Sequence, residues 1–296
     1  MKFLVNLLRG VVIGIANIIP GVSGGTMAVV MNVYDQLIGS ISKFFKDWKK
    51  NLLFLIPILI GAGAGIFLFS LLLGSLLENY PMPVNFFFLG LILGSIPMIY
   101  KRATAGKFRA THLIPFAAAL LVMIGFTVIS ITMGTSTDSV TASLSIGLFV
   151  KLVICCAIAA FSMLLPGVSG SMMMVLFGVY GIIMGAISQL NIPILIPVAI
   201  GVLIGLLFGA RLIDVLLERF PQATFWAILG LIVGSLFSVY SAAGFAFNLQ
   251  GLISVLTLIA GAVISFLFGW EKLQDKIKSR KGISNPSEEQ QTAQKS

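Results

Sequence analysis

The string Ile18-Ile19-Pro20-Gly21-Val22-Ser23-Gly24-Gly25 returns 146 residues later as Leu164-Leu165-Pro166-Gly167-Val168-Ser169-Gly170-Ser171. Tyr34 and Ile41-Ser42 recur at the same spacing as Tyr180 and Ile187-Ser188. Further on, residues 51–100 match residues 191–240 at an offset of 140, with 19 identities in 50 positions. Among them Asn51, Pro57, Gly61, Gly65, Glu78, Pro81, Gly90, Gly94-Ser95 and Tyr100 become Asn191, Pro197, Gly201, Gly205, Glu218, Pro221, Gly230, Gly234-Ser235 and Tyr240. Shared apolar composition does not hold Pro, Glu and Asn in register, so the chain is an internal duplication. An extra basic loop around Lys43–Lys50 in the first half accounts for the change of offset.

The solvent of this duplicated fold is lipid. Hydrophobic residues make up 58% of the chain and charged residues 10%, against about 25% charged in a soluble domain. Apolar stretches run over 10–19, 22–42, 52–77, 84–100, 113–133, 146–165, 168–189, 192–217, 223–241 and 249–269, several of them long enough to span a bilayer. The reading is an all-α polytopic membrane protein, with a first repeat over 1–133, an external linker over 134–145, a second repeat over 146–270 and a polar, disordered cytoplasmic tail over 271–296. The net charge of +9 is concentrated in short segments, Lys43–Lys50, Lys101–Arg109 and Lys272–Lys281. That is the pattern of positive-inside loops, and no basic stripe interleaved with exposed aromatics points to nucleic acid. The adjacent Cys155 and Cys156 sit in an apolar run and read as small packing residues.

Each half holds five apolar stretches, and an odd number brings the second half into the membrane from the opposite side. With Lys43–Lys50 in the cytoplasm, Glu78–Pro83 falls outside, Lys101–Arg109 inside and Thr135–Thr141 outside. Counting back from the basic tail places the Arg211–Arg219 turn inside and Gly244–Gln250 outside. Both termini are then cytoplasmic, and the halves form an inverted-topology repeat of the kind found in secondary transporters.

The doubled motif carries the chemistry. Only ten apolar residues lie between Arg9 and Pro20, about 15 Å of helix and half of a hydrocarbon core. Pro20-Gly21 breaks that helix, and a new one starts beyond it with Ser23 as N-cap. Each motif is therefore expected at the tip of a re-entrant helical hairpin, followed by three transmembrane helices. Non-helical backbone at that depth persists only inside protein or against water, so the two tips are expected to face each other across a cavity. Helix N-termini, close-approach glycines and hydroxyls favour an anion there, phosphate above all. The candidate binding residues are Gly21, Val22, Ser23, Gly24, Gly25 and Thr26 with Gly167, Val168, Ser169, Gly170 and Ser171. The alternative is that the motifs are helix breaks packed by small residues.

Arg9 and Arg211 are candidates to touch the anion, or else snorkel to the cytoplasmic interface. Lys151 and Asp214 also lie in or near apolar stretches. Glu78 and Glu218 are repeat partners, open to proton or cation coupling or to capping a turn. The paired glycines at 61 and 65, 90 and 94, 201 and 205, and 230 and 234 read as helix contacts. With a single histidine, His112, ten acidic residues and no Cys/His metal spacing, the chain offers poor enzyme chemistry and calls for no cofactor or metal.

The run Arg9-Gly10-Val11-Val12-Ile13-Gly14 through Ile19-Pro20-Gly21-Val22-Ser23-Gly24-Gly25-Thr26, with its second copy Pro166–Ser171, resembles the PopT family of polyprenyl-phosphate transporters. The likeness covers the chain up to its tail. It implies translocation of undecaprenyl phosphate, the lipid carrier of cell-wall precursors, in the bacterial cytoplasmic membrane, with membrane lipids around it and a proton or sodium ion as possible coupling partner. The second copy has Ser171 and Met172 where the first has Gly25 and Thr26, so the tips differ. A small soluble anion is the competing cargo, and a membrane-embedded lipid phosphatase or transferase the competing activity.

Overall fold

A computed structural model describes residues 2–18, 23–105, 109–133 and 144–280, and among them the regular structure is entirely helical. The first half comprises α1 (Lys2–Ile18), α2 (Gly24–Val30), α3 (Tyr34–Ser42), α4 (Trp48–Asn79), α5 (Pro81–Ala103) and α6 (Leu113–Met133). The second comprises α7 (Ile146–Leu164), α8 (Gly170–Leu176), α9 (Tyr180–Ser188), α10 (Ile192–Arg219), α11 (Pro221–Ala243) and α12 (Leu249–Arg280). The element order of the first half thus recurs in the second. Seven helices are long and apolar enough to cross a membrane, and the chain is a polytopic membrane protein.

The repeat extends to local detail. α5 and α11 each restart the chain with proline at the first helical position, where its missing N–H is harmless. The residues before them, Tyr80 and Phe220, share one backbone conformation (φ −135° and −132°). The stretches 22–42 and 168–189, read from sequence as single segments, each divide into two short helices. Their division is a C-terminal cap in which Asn32 (φ 52°) and Gly178 (φ 65°) take the left-handed conformation. Val33 N–H then donates to Ala28 C=O at 2.9 Å, and Val179 N–H to Met174 C=O at 3.0 Å. α8 and α9 meet at 110°.

Small residues let the long helices touch, as expected where lipid removes the hydrophobic drive for helix association. A Cβ on Gly61 would overlap the Leu7 carbonyl oxygen, and one on Gly65 that of Val11, so α1 lies directly on α4. The second half repeats this in register: Gly201 faces Val153 and Gly205 faces Ala157, joining α7 to α10. The last helices are exchanged. Gly90 of α5 abuts Leu258 of α12, whereas Gly230 of α11 abuts Phe116 of α6. Each half therefore lends its final helix to the fifth helix of the other.

α5 and α11 form the centre. Repeat-equivalent residues Ile92 and Ile232, Leu89 and Leu229, and Ser95 and Ser235 are all buried. Phe86 lies 6.3 Å from Tyr240, and Tyr100 lies 5.9 Å from Trp226. Under the offset of 140 these two contacts exchange into each other, and the start of each helix meets the end of the other. The two equivalent helices are antiparallel. Their ends also sort the charges. Arg102 stacks over the Phe225 ring at 5.4 Å and Lys43 pairs with Glu218, so the basic loops share one side of the molecule. On the other side Phe86 packs on Phe245, and Thr257 Oγ1 donates to Pro83 C=O at 2.8 Å.

The external linker lies largely outside the described residues, as does 281–296 of the tail; the part of the tail that is described continues α12 to Arg280. Cys155 and Cys156 are free thiols inside α7.

Candidate functional site

The second motif forms a helix–break–helix hairpin, and the described residues on either side of the first motif's break are tied together. In the first, Gly24 N–H donates to Asn17 Oδ1 at 3.0 Å, tying the start of α2 back to α1. Ser23 is the N-cap anticipated from sequence, its Oγ accepting from Thr26 N–H at 3.1 Å. In the second, a Cβ on Gly170 would press into Met163 and the Ala159 carbonyl, so α8 folds closely onto α7.

The two tips touch. Gly167 N–H donates to Ser23 Oγ at 2.9 Å and to Thr26 Oγ1 at 2.7 Å, and the two hydroxyls lie 3.0 Å apart. Ser23 and Thr26 are buried, at 3% and 0% exposure. A Cβ on Gly25 would stand 3.2 Å from the carbonyl oxygens of both Met163 and Leu164. Gly167 adopts φ +89°, the left-handed region that favours glycine, and a Cβ there would meet the Leu231 carbonyl at 2.8 Å. Leu231 and Ser235 stand near the middle of the 23-residue α11. The tip cluster therefore sits at mid-length of a membrane-crossing helix.

The tips are unequal. All of α2 is buried, whereas only Gly170 and Met173 of α8 are. Ser169 makes no cap hydrogen bond; its Oγ meets Ser171 Oγ at 2.8 Å, with Ser171 exposed. Val168 is buried beside Met123, Met173 and Leu231. α2 and α8 are seven residues each, so individual N–H and O–H groups rather than a long helix dipole make up the donor set. Among the described residues, no charged side chain hydrogen-bonds to the cluster. It can hold an oxyanion only by neutral donors, which suits a group that must be bound and then released.

The charged groups stand at the two ends of α3. Tyr34 OH donates to Leu164 C=O at 2.9 Å, so α3 grips the carbonyl just before the second break. At the other end of α3, Ser42 Oγ donates to Asp214 Oδ2 at 2.9 Å, and Lys43 Nζ lies 3.2 Å from Asp214 and 2.6 Å from Glu218. The hydrogen bond to Glu218, then that to Asp214, hold the Lys43 ammonium above the usual lysine range. Near the α2–α3 bend, Arg102 donates to Asp35 Oδ2 at 2.7 Å and to Asn32 Oδ1. A void of about 10 Å³ lies beside them, between Tyr34, Ile99 and Phe225.

The structure thus brings together Ser23, Gly24, Gly25, Thr26, Gly167, Val168, Ser169, Gly170 and Ser171. Gly21 and Val22 lie outside the described residues, as does the side chain of Glu78. Arg9 is half-buried and donates to Asn6 Oδ1 at 2.8 Å, one turn back along α1 and away from the tip. Arg211 is exposed on α10, flanked by the buried Ala210 and Ile213. Glu218 sits in the Lys43 ion pair. Sequence reasoning did not single out Tyr34, Lys43, Asn17 or Ser235 for the site. Tyr34 and Ser235 carried a signal as members of the repeat, and Lys43 was visible only as part of a basic loop.

A family model described as undecaprenyl phosphate translocase-like matches residues 13–250. A polyprenyl-phosphate transporter of Staphylococcus aureus is 36% identical over 274 residues, covering 90% of this chain and 95% of that protein. A polyprenyl-phosphate transporter of Vibrio cholerae is 31% identical over 250 residues, covering 80% of this chain and 77% of that protein. No solved structure matches the chain.

Proposed function

The chain belongs to the undecaprenyl phosphate translocase-like family, and we propose that it carries undecaprenyl phosphate across the cytoplasmic membrane by sheltering the phosphate between its two tips. The observation that carries this reading is the meeting of Ser23 and Thr26 with the Gly167 N–H at the middle of α11. A phosphate monoester cannot cross hydrocarbon unaided, while its prenyl chain is at home there. The protein need shelter only the head group. A phosphate oxygen takes the place of the Ser23 and Thr26 oxygens on the Gly167 N–H, and the freed hydroxyls turn to donate to it. Ser169 and Ser171 add two more hydroxyls from the second tip. The backbone around Gly24, Gly25, Val168 and Gly170 permits close approach. Arg9 and Arg211 then act on the approach of the lipid rather than on the bound phosphate.

The antiparallel packing of α5 on α11 supports inverted halves, 1–133 and 146–270, and the depth of Gly167 against α11 supports re-entrant tips. The gathering of basic loops on one side supports cytoplasmic termini. On this reading the cargo is the lipid carrier left on the outer leaflet after cell-wall synthesis. Transport is the activity, with no bond made or broken. Glu218, paired with Lys43, is the place for a proton or sodium ion to act, with Glu78 as its repeat partner. Labelled undecaprenyl phosphate in proteoliposomes tests the proposal: the protein accelerates loss of the outer-leaflet signal over empty vesicles, with or without an imposed proton or sodium gradient. No acceleration by correctly inserted protein under any gradient, with uptake of a soluble phosphate compound instead, assigns the cargo to a small anion.

A further inference from the structure

Contacts made twice in this molecule describe its scaffold; contacts made once describe its present state. The α1–α4 and α7–α10 packings are duplicates in register, as are the Phe86–Tyr240 and Tyr100–Trp226 pairs. Among the described residues, the attachments of Tyr34 and Ser42 on α3 are not repeated. Its first residue, Tyr34, donates to Leu164 C=O, and its last, Ser42, donates to Asp214, with Lys43 adding Asp214 and Glu218. A first-half helix is thereby fastened at both ends to the second half. The counterparts behave otherwise. Tyr180 makes no hydrogen bond among the described residues, and Ser188 Oγ donates to Gly185 C=O of its own helix at 3.0 Å. The position equivalent to Asp214 is Gly74. The tips follow suit: Ser23 and Thr26 are buried, whereas Ser171 is exposed.

We propose that α3 is a gate, latched in this structure by Tyr34, Ser42 and Lys43 on Leu164, Asp214 and Glu218, and that its release opens the first tip to the side of the membrane bearing Lys43. The proposal rests on the reading of the tips as the phosphate site. This conformation is then closed on the cytoplasmic side and presents Ser169 and Ser171 to the other. Entry of phosphate at the second tip displaces the Ser23–Thr26 oxygens from Gly167, which removes the hydrogen bonds between α2 and the second half. What remains to hold the gate is the packing of α3 on α10, where Ile38 is buried, and the α3 latch, a partly exposed ion pair and a few hydrogen bonds. The polar latch is weak enough to open on the transport timescale.

The test is thiol accessibility from each side of the membrane. Ala28 of α2 is fully buried. An Ala28→Cys protein is treated with a membrane-impermeant thiol reagent, and labelling is read residue by residue by mass spectrometry, with Cys156 as internal reference for general loosening. In the otherwise wild-type chain labelling at 28 is slow from both sides. Lys43→Ala raises the rate from the Lys43 side about threefold, the worth of one exposed ion pair. Adding Tyr34→Phe raises it to about tenfold. Cys156 stays unchanged. No rise at position 28, or an equal rise at Cys156, overturns the gate. A second arm locks it: Lys43→Cys with Glu218→Cys is bridged by a reducible bifunctional thiol reagent. Lipid transport stops and resumes on reduction; transport that continues in the bridged protein also overturns the gate. A protein whose labelling responds as stated but which moves no undecaprenyl phosphate refutes the cargo and leaves the gate. The reverse result refutes the gate alone.

Discussion

Gly167 N–H is bound by two hydroxyls at once, and that redundancy can be measured. Ser23→Ala removes the cap of α2 but leaves Gly167 on Thr26 Oγ1, so the expected cost is about 1 kcal/mol, that of a lost N-cap. Thr26→Val removes a buried hydrogen bond but leaves Gly167 on Ser23 Oγ, again about 1 kcal/mol. The double variant strands a buried amide among the apolar side chains around Val168 and Leu231. An orphaned buried donor costs roughly a further 1–3 kcal/mol. The two substitutions should therefore be non-additive, with the pair costing about 3–5 kcal/mol where the sum of singles is about 2. Unfolding by sodium dodecyl sulfate titration in mixed micelles, run as a double-mutant cycle, reads this directly. Additivity within about 0.5 kcal/mol would mean that Gly167 does not depend on the first tip, and the tip-to-tip contact would lose its meaning. If phosphate replaces the hydroxyls on Gly167, saturating phosphate or a short-chain prenyl phosphate should recover part of the double variant's lost stability, because a ligand that binds only the folded state stabilises it.

Three further outcomes follow from the same geometry. Ser169→Ala with Ser171→Ala removes hydroxyls that hold only each other and lie towards the surface; stability should change by less than about 0.5 kcal/mol, while lipid transport in proteoliposomes falls about tenfold through loss of donors to the phosphate. Gly205→Leu drives a side chain into the Ala157 backbone and should abolish monodisperse protein on size-exclusion chromatography, whereas Gly63→Ala, with nothing near its Cβ position, should leave the elution profile unchanged. Lys43, held above the usual lysine range by Glu218 and Asp214, keeps its proton through the neutral and mildly alkaline range. Its share of the latch is lost as pH rises through the raised value. Thiol labelling of Ala28→Cys, taken relative to a free thiol at the same pH because the thiolate is the reacting form, should thus be flat from pH 7 to about 9 and increase only in stronger alkali; a relative increase already at neutral pH would show that Lys43 does not govern the latch.

The duplication told most about what recurs. Paired prolines set the starts of α5 and α11, paired glycines set the α1–α4 and α7–α10 contacts, and the doubled Pro-Gly-Val-Ser-Gly string set the two hairpins. The charge distribution alone separates the two sides of the molecule. What a duplicated sequence cannot display is exchange between copies. That α12 packs on α5 and α6 on α11 depends on which copy's helix fills an equivalent groove, and Gly90 and Gly230 look the same under either pairing. Nor could the motif reveal that Gly167 is capped by the other tip rather than by its own Ser169, because the identical Ser-Gly strings offer both choices.

The departures from the repeat carry the rest of the information. Gly74 has become Asp214, Lys43 sits at the start of the loop that only the first half possesses, and Gly181 has become Asp35. In the folded protein these unmatched residues make the ion pairs Lys43–Asp214 and Arg102–Asp35 on one side of the tips. Two perfectly equal halves would favour the two access states equally. A cargo that must be collected from one leaflet and delivered to the other needs its resting state biased towards the collecting side. Placing charged contacts on only one copy of the moving helix supplies that bias without altering the duplicated scaffold. An Asp214→Gly variant, which restores the symmetry of the repeat at that position, should shift labelling of Ala28→Cys towards the Lys43 side more than Lys43→Ala does. It removes the acceptor of both Ser42 and Lys43 at once.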